Sequence, residues 1–154
     1  MNERRQFDAR GGRIPPSRYT GPSSGQQNEL PAGYLKNGYF DDKGNIFPEL
    51  ITIWAKDIAI RIAEGMETTQ LRRFFSEARR LEGQLNAGKD FAAVRGDILK
   101  LDSYAADALK KRKVTQLFKS FMEMNTKLAA KDNKSFLNGF IPHFECVVAY
   151  FPKK

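Results

Sequence analysis

The sequence predicts an all-α protein, a compact bundle of about five helices that follows a disordered N-terminal tail. Beyond residue 47, apolar residues recur at spacings of three and four, which is the period of an amphipathic helix. No run of alternating β-branched residues reaches the length of a strand. The 154 residues, of which 41% are hydrophobic, suffice for one core, so we expect a single domain over residues 29–154.

Residues 1–28 form the predicted tail. Gly, Pro, Ser, Gln and Arg dominate this segment, and few of its side chains are large and apolar. Such a composition buries too little apolar surface to offset the entropy lost on ordering. We therefore expect disorder in the unbound protein, with the arginines of the segment available to phosphate groups. A solubilising tail is the alternative interpretation.

Residues 30–47 are predicted to form a structured arm that packs onto the bundle. Turn signals occur at 37–38 (Asn-Gly) and at 43–45 (Lys-Gly-Asn). The large apolar residues of this segment are Tyr34, Leu35, Tyr39 and Phe40. They anchor the arm in this interpretation; a short hairpin is the alternative.

The first helix is predicted over residues 48–63. Pro48 suits the first helical position, and Gly65 suits the C-terminal stop. The apolar face comprises Leu50, Ile51, Trp54, Ile58 and Ile62, and it is widened by Ile53 and Ile60. We expect a helix this apolar to be sandwiched between others.

The second helix, predicted over residues 68–85, combines a core face with a basic surface. Thr68 and Thr69 are its candidate N-caps. Its apolar stripe comprises Leu71, Phe74, Ala78, Leu81 and Leu85. At about 100° per residue, four arginines project away from that stripe in two stacked pairs. The pairs are Arg72 with Arg79 on one flank and Arg73 with Arg80 almost opposite.

Phosphate binding and a solvated face are the two interpretations of these arginines. Glu77, four residues after Arg73, and Glu82, three after Arg79, can neutralise part of the charge. A charge run taken alone more often indicates a solvated face. Paired guanidiniums on a rigid element nevertheless suit phosphate, because each can bind two oxygens in a fork.

Three further segments complete the predicted bundle. A third helix begins near Asp90, which suits the N-cap position. A fourth spans 103–131 and can break at the KKRK cluster of residues 110–113. The last spans 133–151, and we expect Pro142 to kink it about one turn upstream.

The composition argues against catalysis and metal binding. His143 is the only histidine and Cys146 the only cysteine, so the roughly four ligands of a typical metal site are missing. Cys146 is flanked by apolar residues and is interpreted as a small buried hydrophobe. Neither a phosphate-binding glycine loop nor a zinc-protease motif occurs. We therefore predict no enzyme activity, no cofactor and no metal site.

A cytoplasmic location is expected. One cysteine rules out an internal disulfide and fits a reducing compartment. The first residues lack the apolar segment of a signal peptide. No apolar run approaches the roughly 20 residues needed to span a bilayer.

The net charge of +8 is unevenly distributed and indicates a polyanionic partner, most often a nucleic acid. Residues 1–28 and 110–154 are basic, whereas residues 29–109 are slightly acidic. Tyr34, Tyr39 and Tyr150 are candidates for stacking on bases. The basic candidates for contact with a polyanion are Arg72, Arg73, Arg79, Arg80, Lys110, Lys111, Arg112, Lys113 and Lys119.

Three segments of the chain resemble a known family. They are LPAGYLKNGYFDDKGN at 30–45, METTQLRRFF at 66–75 and ECVVAYF at 145–151. In this order they look like the small helical subunit of type III-A CRISPR effector (Csm) complexes. The resemblance covers about residues 30–151, which is nearly all of the predicted domain.

The resemblance implies a helical bundle without catalytic activity that serves in antiviral defence. Several copies of such a subunit line the inside of a filament, beside the backbone subunits that hold the guide RNA, and their basic face meets guide and target RNA. By resemblance, the RNA contacts fall at Thr69, Gln70, Arg72 and Arg73, and at residues 110–113. The implied partners are both RNAs, the other subunits and further copies of the chain.

Head-to-tail copies require two complementary patches, and the charge pattern offers candidates. The acidic one comprises Asp41, Asp42, Glu49, Asp57, Glu64 and Glu67. The basic one comprises residues 110–113 with Lys119, Lys127 and Lys131. The alternative function is a helical scaffold that binds an acidic protein partner without touching nucleic acid. A DNA-binding bundle is a weaker alternative, because no helix-turn-helix pattern is present.

Overall fold

The computed structural model describes residues 29–153, so the predicted tail lies outside the described residues. Within them the chain is helical and forms no strand, which confirms the all-α prediction. The α-helices are α1 (Pro48–Ile51), α2 (Ile53–Ile62), α3 (Thr68–Asn86), α4 (Phe91–Lys110), α5 (Gln116–Ala129) and α6 (Ile141–Tyr150). A π-helix, Ser135–Phe140, leads directly into α6.

A cluster of phenylalanines forms the centre of the core where α3, α5 and α6 meet. Phe118 and Phe121 of α5 and Phe144 of α6 are completely buried. Phe74 of α3 packs edge-on against Phe118, with ring centroids 4.9 Å apart. The Phe121 ring meets the Phe144 ring in the same way at 5.5 Å. Edge-on contacts of this kind favour one arrangement of the three helices over others.

The predicted first helix is divided at Thr52, so the expectation of one helix over residues 48–63 is wrong. Thr52 has φ −131° and ψ −100°, outside the helical region. Its hydroxyl donates to the carbonyl of Pro48 at 2.7 Å. Threonine can make such a local side-chain bond in place of a regular helical turn, which explains the interruption. The arm and α2 consequently join through the short helix α1.

The expected width of the apolar face on α2 is also wrong. Ile58 and Ile62 are fully buried, but Ile53 is 63% exposed and Ile60 is 45% exposed. The two exposed isoleucines line an open apolar groove of about 420 Å³ next to Pro31. Within the described residues, α2 is therefore covered on one side only, not sandwiched between helices.

Some predicted helix boundaries move and others are confirmed. The N-cap of α3 is Glu67, not Thr68 or Thr69, and no side chain caps this helix. Asp90 is the N-cap of α4, as expected. The predicted boundary between a third helix and a fourth one starting at residue 103 is absent, because α4 runs on to Lys110. The predicted break at the KKRK cluster of residues 110–113 is confirmed, since α4 ends at Lys110 and α5 begins at Gln116.

The expected kink before Pro142 takes the form of the π-helix. Proline has no N–H, so the regular bond to the carbonyl four residues earlier cannot form, and wider i→i+5 pairing takes up the mismatch. The N–H of Ile141 accordingly bonds to the carbonyl of Phe136. Gly139 lies in this segment, and a Cβ there would stand 2.5 Å from the Tyr39 ring. The glycine therefore allows the arm to pack directly on the π-helix.

The arm is structured and packs onto the bundle, as predicted. A single antiparallel bridge joins Phe40 to Ile46. Tyr34 and Tyr39 are buried, so their predicted role in stacking on bases is wrong. Their hydroxyls end in a polar cluster inside the core, where they meet Asn125.

Candidate nucleic-acid interface

Within residues 29–153, two of the four arginines of α3 form ion pairs and two do not. Arg79 forms an ion pair with Glu82 at 3.0 Å, and its guanidinium lies over the Phe75 ring. Arg80 is hydrogen-bonded to Glu77, and this bond raises the pKa of the guanidinium. Glu77 thus forms its ion pair with Arg80 and not with Arg73, which lies four residues before Glu77 on the helix.

Arg72 and Arg73 are exposed and form no ion pair with any residue in the range 29–153. Both lie near the start of α3, within two turns of its N-terminus. Because no side chain caps that end, the first amides of the helix remain available to an anion. Two free guanidiniums and a positive helix end therefore occur together.

The basic cluster forms the turn that ends α4. Arg112 has φ +59° and occupies the left-handed position that closes many helices. Its N–H bonds to the carbonyl of Leu109 at 3.0 Å, and the N–H of Lys113 reaches back to Ala108 at 2.9 Å. This pair of bonds is a Schellman motif, in which glycine is the usual central residue. The turn places Arg112 and Lys113 beyond the last turn of the helix, where both are exposed.

The fold brings this turn to the start of α3. A cleft of about 530 Å³, which we call the basic cleft, is lined by Glu64, Gly65, Met66, Glu67, Thr69, Gln70, Arg112 and Lys113. Four of the sequence-predicted RNA contacts thus share one surface, although about 40 residues separate them in the chain. Two members of the predicted acidic patch lie in the same cleft, so the acidic and basic patches are contiguous here.

A second depression continues from the basic cleft along α3 and α4. This tyrosine groove, of about 350 Å³, is lined by Arg73, Phe74, Glu77, Leu101 and Tyr104. Arg73 follows Gln70 by three residues and Thr69 by four, so these residues share a side of α3. The groove and the basic cleft are consecutive along the same pair of helices.

Tyr104 is an exposed residue that the sequence interpretation missed. Its side chain is 49% exposed, compared with 41% for Tyr150, the predicted stacking candidate that remains accessible. A signal was present, because the core stripe of α4 passes through Leu101 and Ala105 and leaves position 104 beside it.

Two of the other predicted contacts, Lys119 and Lys111, are held by carboxylates. Lys119 lies between Asp102 of α4 and Glu123 of α5, with both nitrogen–oxygen distances 3.0 Å. Partial burial alone would lower the pKa of Lys119, but its bonds to these carboxylates outweigh that effect and raise it. Lys111 forms an ion pair with Asp107 at 2.9 Å. Lys110 is exposed at the end of α4.

The two residues considered for chemistry lie elsewhere. His143 is completely buried, and Cys146 is a partly buried free thiol whose pKa is raised by burial. In the part of the chain that the structure describes, no three metal-ligating side chains form a group. None of the helices found there combines the length and the apolar character needed to cross a bilayer.

Comparison with known proteins identifies the family. The family model described as Csm2 Type III-A matches residues 47–153, which is more than two thirds of the chain. The chain belongs to the Csm2 type III-A family. A search of curated proteins and a search of solved structures found no match. As a Csm2-family protein, the chain is a small subunit of a type III-A CRISPR effector complex and associates with other Csm subunits. The match spans all six α-helices and the residues that line the basic cleft and the tyrosine groove.

Proposed function

We propose that this Csm2-family subunit binds guide and target RNA within the effector complex. The contacts are made by the basic cleft and by the adjacent Arg72 and Arg73. The observation that supports this most strongly is the convergence of Arg112 and Lys113 on the start of α3. In this proposal the subunit has no catalytic role and acts in the cytoplasm. Further copies lie along the filament, and each presents the same surface.

The chemistry of this surface suits phosphate and not bases. Guanidinium and ammonium groups bind backbone oxygens of any sequence, whereas base recognition requires side chains that reach the base edges. A subunit that serves a complex with changing guides must tolerate every sequence. Backbone contact meets that requirement, and it also explains why the cations lie on a surface and not in a deep pocket.

The predicted contacts are not equivalent in this proposal. Arg72, Arg73, Arg112 and Lys113 are the principal contacts, because no described carboxylate forms an ion pair with them. Thr69 and Gln70 supply polar groups between them, and Lys110 adds charge at the rim. The remaining residues act mainly through their long-range charge, since each already has a carboxylate partner: Arg79, Arg80, Lys111 and Lys119.

Alanine at both Arg72 and Arg73 tests the proposal. The complex is reconstituted with wild-type or variant subunit, and its affinity for target RNA is measured at moderate salt. Two exposed charge contacts of under about 1 kcal/mol each predict a loss of about tenfold. Subunit stoichiometry and helicity are expected to stay unchanged, because both side chains point away from the core.

The double variant Arg79→Ala/Arg80→Ala is the matched control. It removes the same charge from the same helix, but from arginines that glutamates already engage. We expect it to weaken target binding less than threefold. Equal losses in the two variants would indicate that only long-range charge matters. No loss in either, with assembly impaired instead, would favour the protein-scaffold alternative.

A further inference from the structure

The tyrosine groove combines three features that ordinary helix packing does not require. Its floor is apolar, because Phe74 and Leu101 are buried beneath it. Its wall is the half-exposed ring of Tyr104. Arg73 lines it on the α3 side, one helical turn from Gln70 of the basic cleft.

The single acidic residue of the groove does not oppose an anion. Glu77 is engaged by Arg80, whose Nε lies 3.2 Å from both carboxylate oxygens. Arg80 also lies close enough to Tyr104 for the two side chains to influence each other electrostatically. Arg80 does not line the groove, but counted together with its partner Glu77 it leaves the charge of Arg73 as the excess at this site.

One exposed lysine adds to this pattern on α4. Lys100 precedes Tyr104 by four residues, so the two share one side of the helix, and its ammonium lies 3.9 Å from Asp97. An aromatic ring beside cations is an arrangement that proteins use to bind single-stranded nucleic acid. The cations follow the backbone, and the ring stacks on a base whatever its identity.

We propose that the tyrosine groove binds one unpaired base of RNA, with the base stacked on Tyr104 and the adjoining phosphate at Arg73. This inference rests on the proposed function and adds a stacking contact to it. A base inside a continuous duplex has both faces covered by its neighbours, so only an unpaired base fits. The groove thereby distinguishes single-stranded RNA, such as a guide that has not met its target, from a fully paired duplex.

Photo-crosslinking tests this contact. The complex is reconstituted with a guide RNA that carries 4-thiouridine, irradiated without target, and digested with trypsin. Cleavage after Lys100 and Lys110 releases residues 101–110, in which Tyr104 is the only aromatic residue. We expect this peptide to be crosslinked in wild type and in Tyr104→Phe, which keeps the ring. In Tyr104→Ala we expect about tenfold less of the crosslinked peptide, because one stacking contact with a base is lost.

Two comparisons complete the test. Tyr150→Ala, at an exposed tyrosine outside the groove, should leave the crosslink unchanged. Pairing the guide with its target should weaken the crosslink, because the free base face is lost.

A crosslink that stays at full strength in Tyr104→Ala, or that arises only in the duplex, would overturn the inference. Crosslinks at residues 70–73 or 112–113 without one at 101–110 would refute the stacking contact but retain RNA binding. Absence of any crosslink in this subunit would refute both.

Discussion

Individual side chains fix the arm through a chain of buried hydrogen bonds. Tyr39 donates to the Oδ1 atom of Asn125 at 2.8 Å, and the Nδ2 group of Asn125 donates to the Tyr34 hydroxyl at 2.8 Å. That hydroxyl donates to Nε2 of His143 at 2.6 Å. Nδ1 of His143 donates to the carbonyl of Leu50 at 2.5 Å, because a carbonyl can only accept. These bonds link the arm to α1, α5 and α6.

This network makes stability depend on pH through His143. Burial lowers the pKa of the imidazole from 6.5 to about 4, since a charged ring would be poorly solvated there. The unfolded chain therefore takes up a proton at higher pH than the folded chain does. Stability falls as the pH drops below about 6.5, and the loss is complete near pH 4. We expect the free energy of unfolding to decrease by about 2 kcal/mol from pH 7 to pH 5, measured by chemical denaturation.

His143→Gln provides the control for this prediction. Glutamine keeps an amide that can donate to Leu50 and an oxygen that can accept from Tyr34, but it does not titrate. As His143 is the only histidine, the variant should be nearly insensitive to pH over the same interval. If the variant loses as much stability as wild type between pH 7 and pH 5, the buried neutral histidine is not the cause.

Among the elements, the turn after α4 combines backbone strain with proposed function. Arg112 adopts φ +59°, a conformation that costs a non-glycine residue about 1 kcal/mol or more. Arg112→Gly should therefore raise the free energy of unfolding by about 0.5–1 kcal/mol. The same change removes a principal RNA contact, so RNA affinity should fall while stability rises.

Lys111→Gly is the comparison for this turn. Lys111 has φ −87°, which suits any L-residue, so glycine there relieves no strain. It adds freedom to the unfolded chain and removes the exposed ion pair with Asp107, and both changes should destabilise. Opposite signs for the two glycine variants in thermal or chemical unfolding are the expected result. Destabilisation by both would mean that the Arg112 conformation is not strained.

The elements also show what sequence periodicity can and cannot predict. The predicted stripe of α3 identified core residues, because a long amphipathic pattern indicates which face is buried. The exposure of Ile53 and Ile60 was not predictable from the sequence. Apolar residues on two sides of a helix do not indicate which side packs against the rest of the protein. The division at Thr52 depends on one hydroxyl bond, which local propensity does not determine.

For the whole molecule, the sequence predicted the residues of the candidate site but not their grouping. Thr69 and Arg112 meet in the basic cleft only because α3 and α4 pack side by side. The ion pair between Lys119 and Asp102 likewise depends on how α4 and α5 pack. Tyr104 was missed because one tyrosine beside a core stripe resembles any surface residue until Arg73 is placed next to it.

The central claim is that this Csm2-family subunit contacts the RNA backbone through Arg72 and Arg73. Its most direct test is the salt dependence of target-RNA affinity for complexes programmed with unrelated guides of equal length. Each lost phosphate contact reduces the slope of log affinity against log salt by about 0.7–0.9. The account predicts that Arg72→Ala/Arg73→Ala reduces the slope by about 1.5 for every guide, and that Arg79→Ala/Arg80→Ala hardly changes it. Equal slopes for wild type and Arg72→Ala/Arg73→Ala, or a reduction that appears with one guide sequence only, would contradict it.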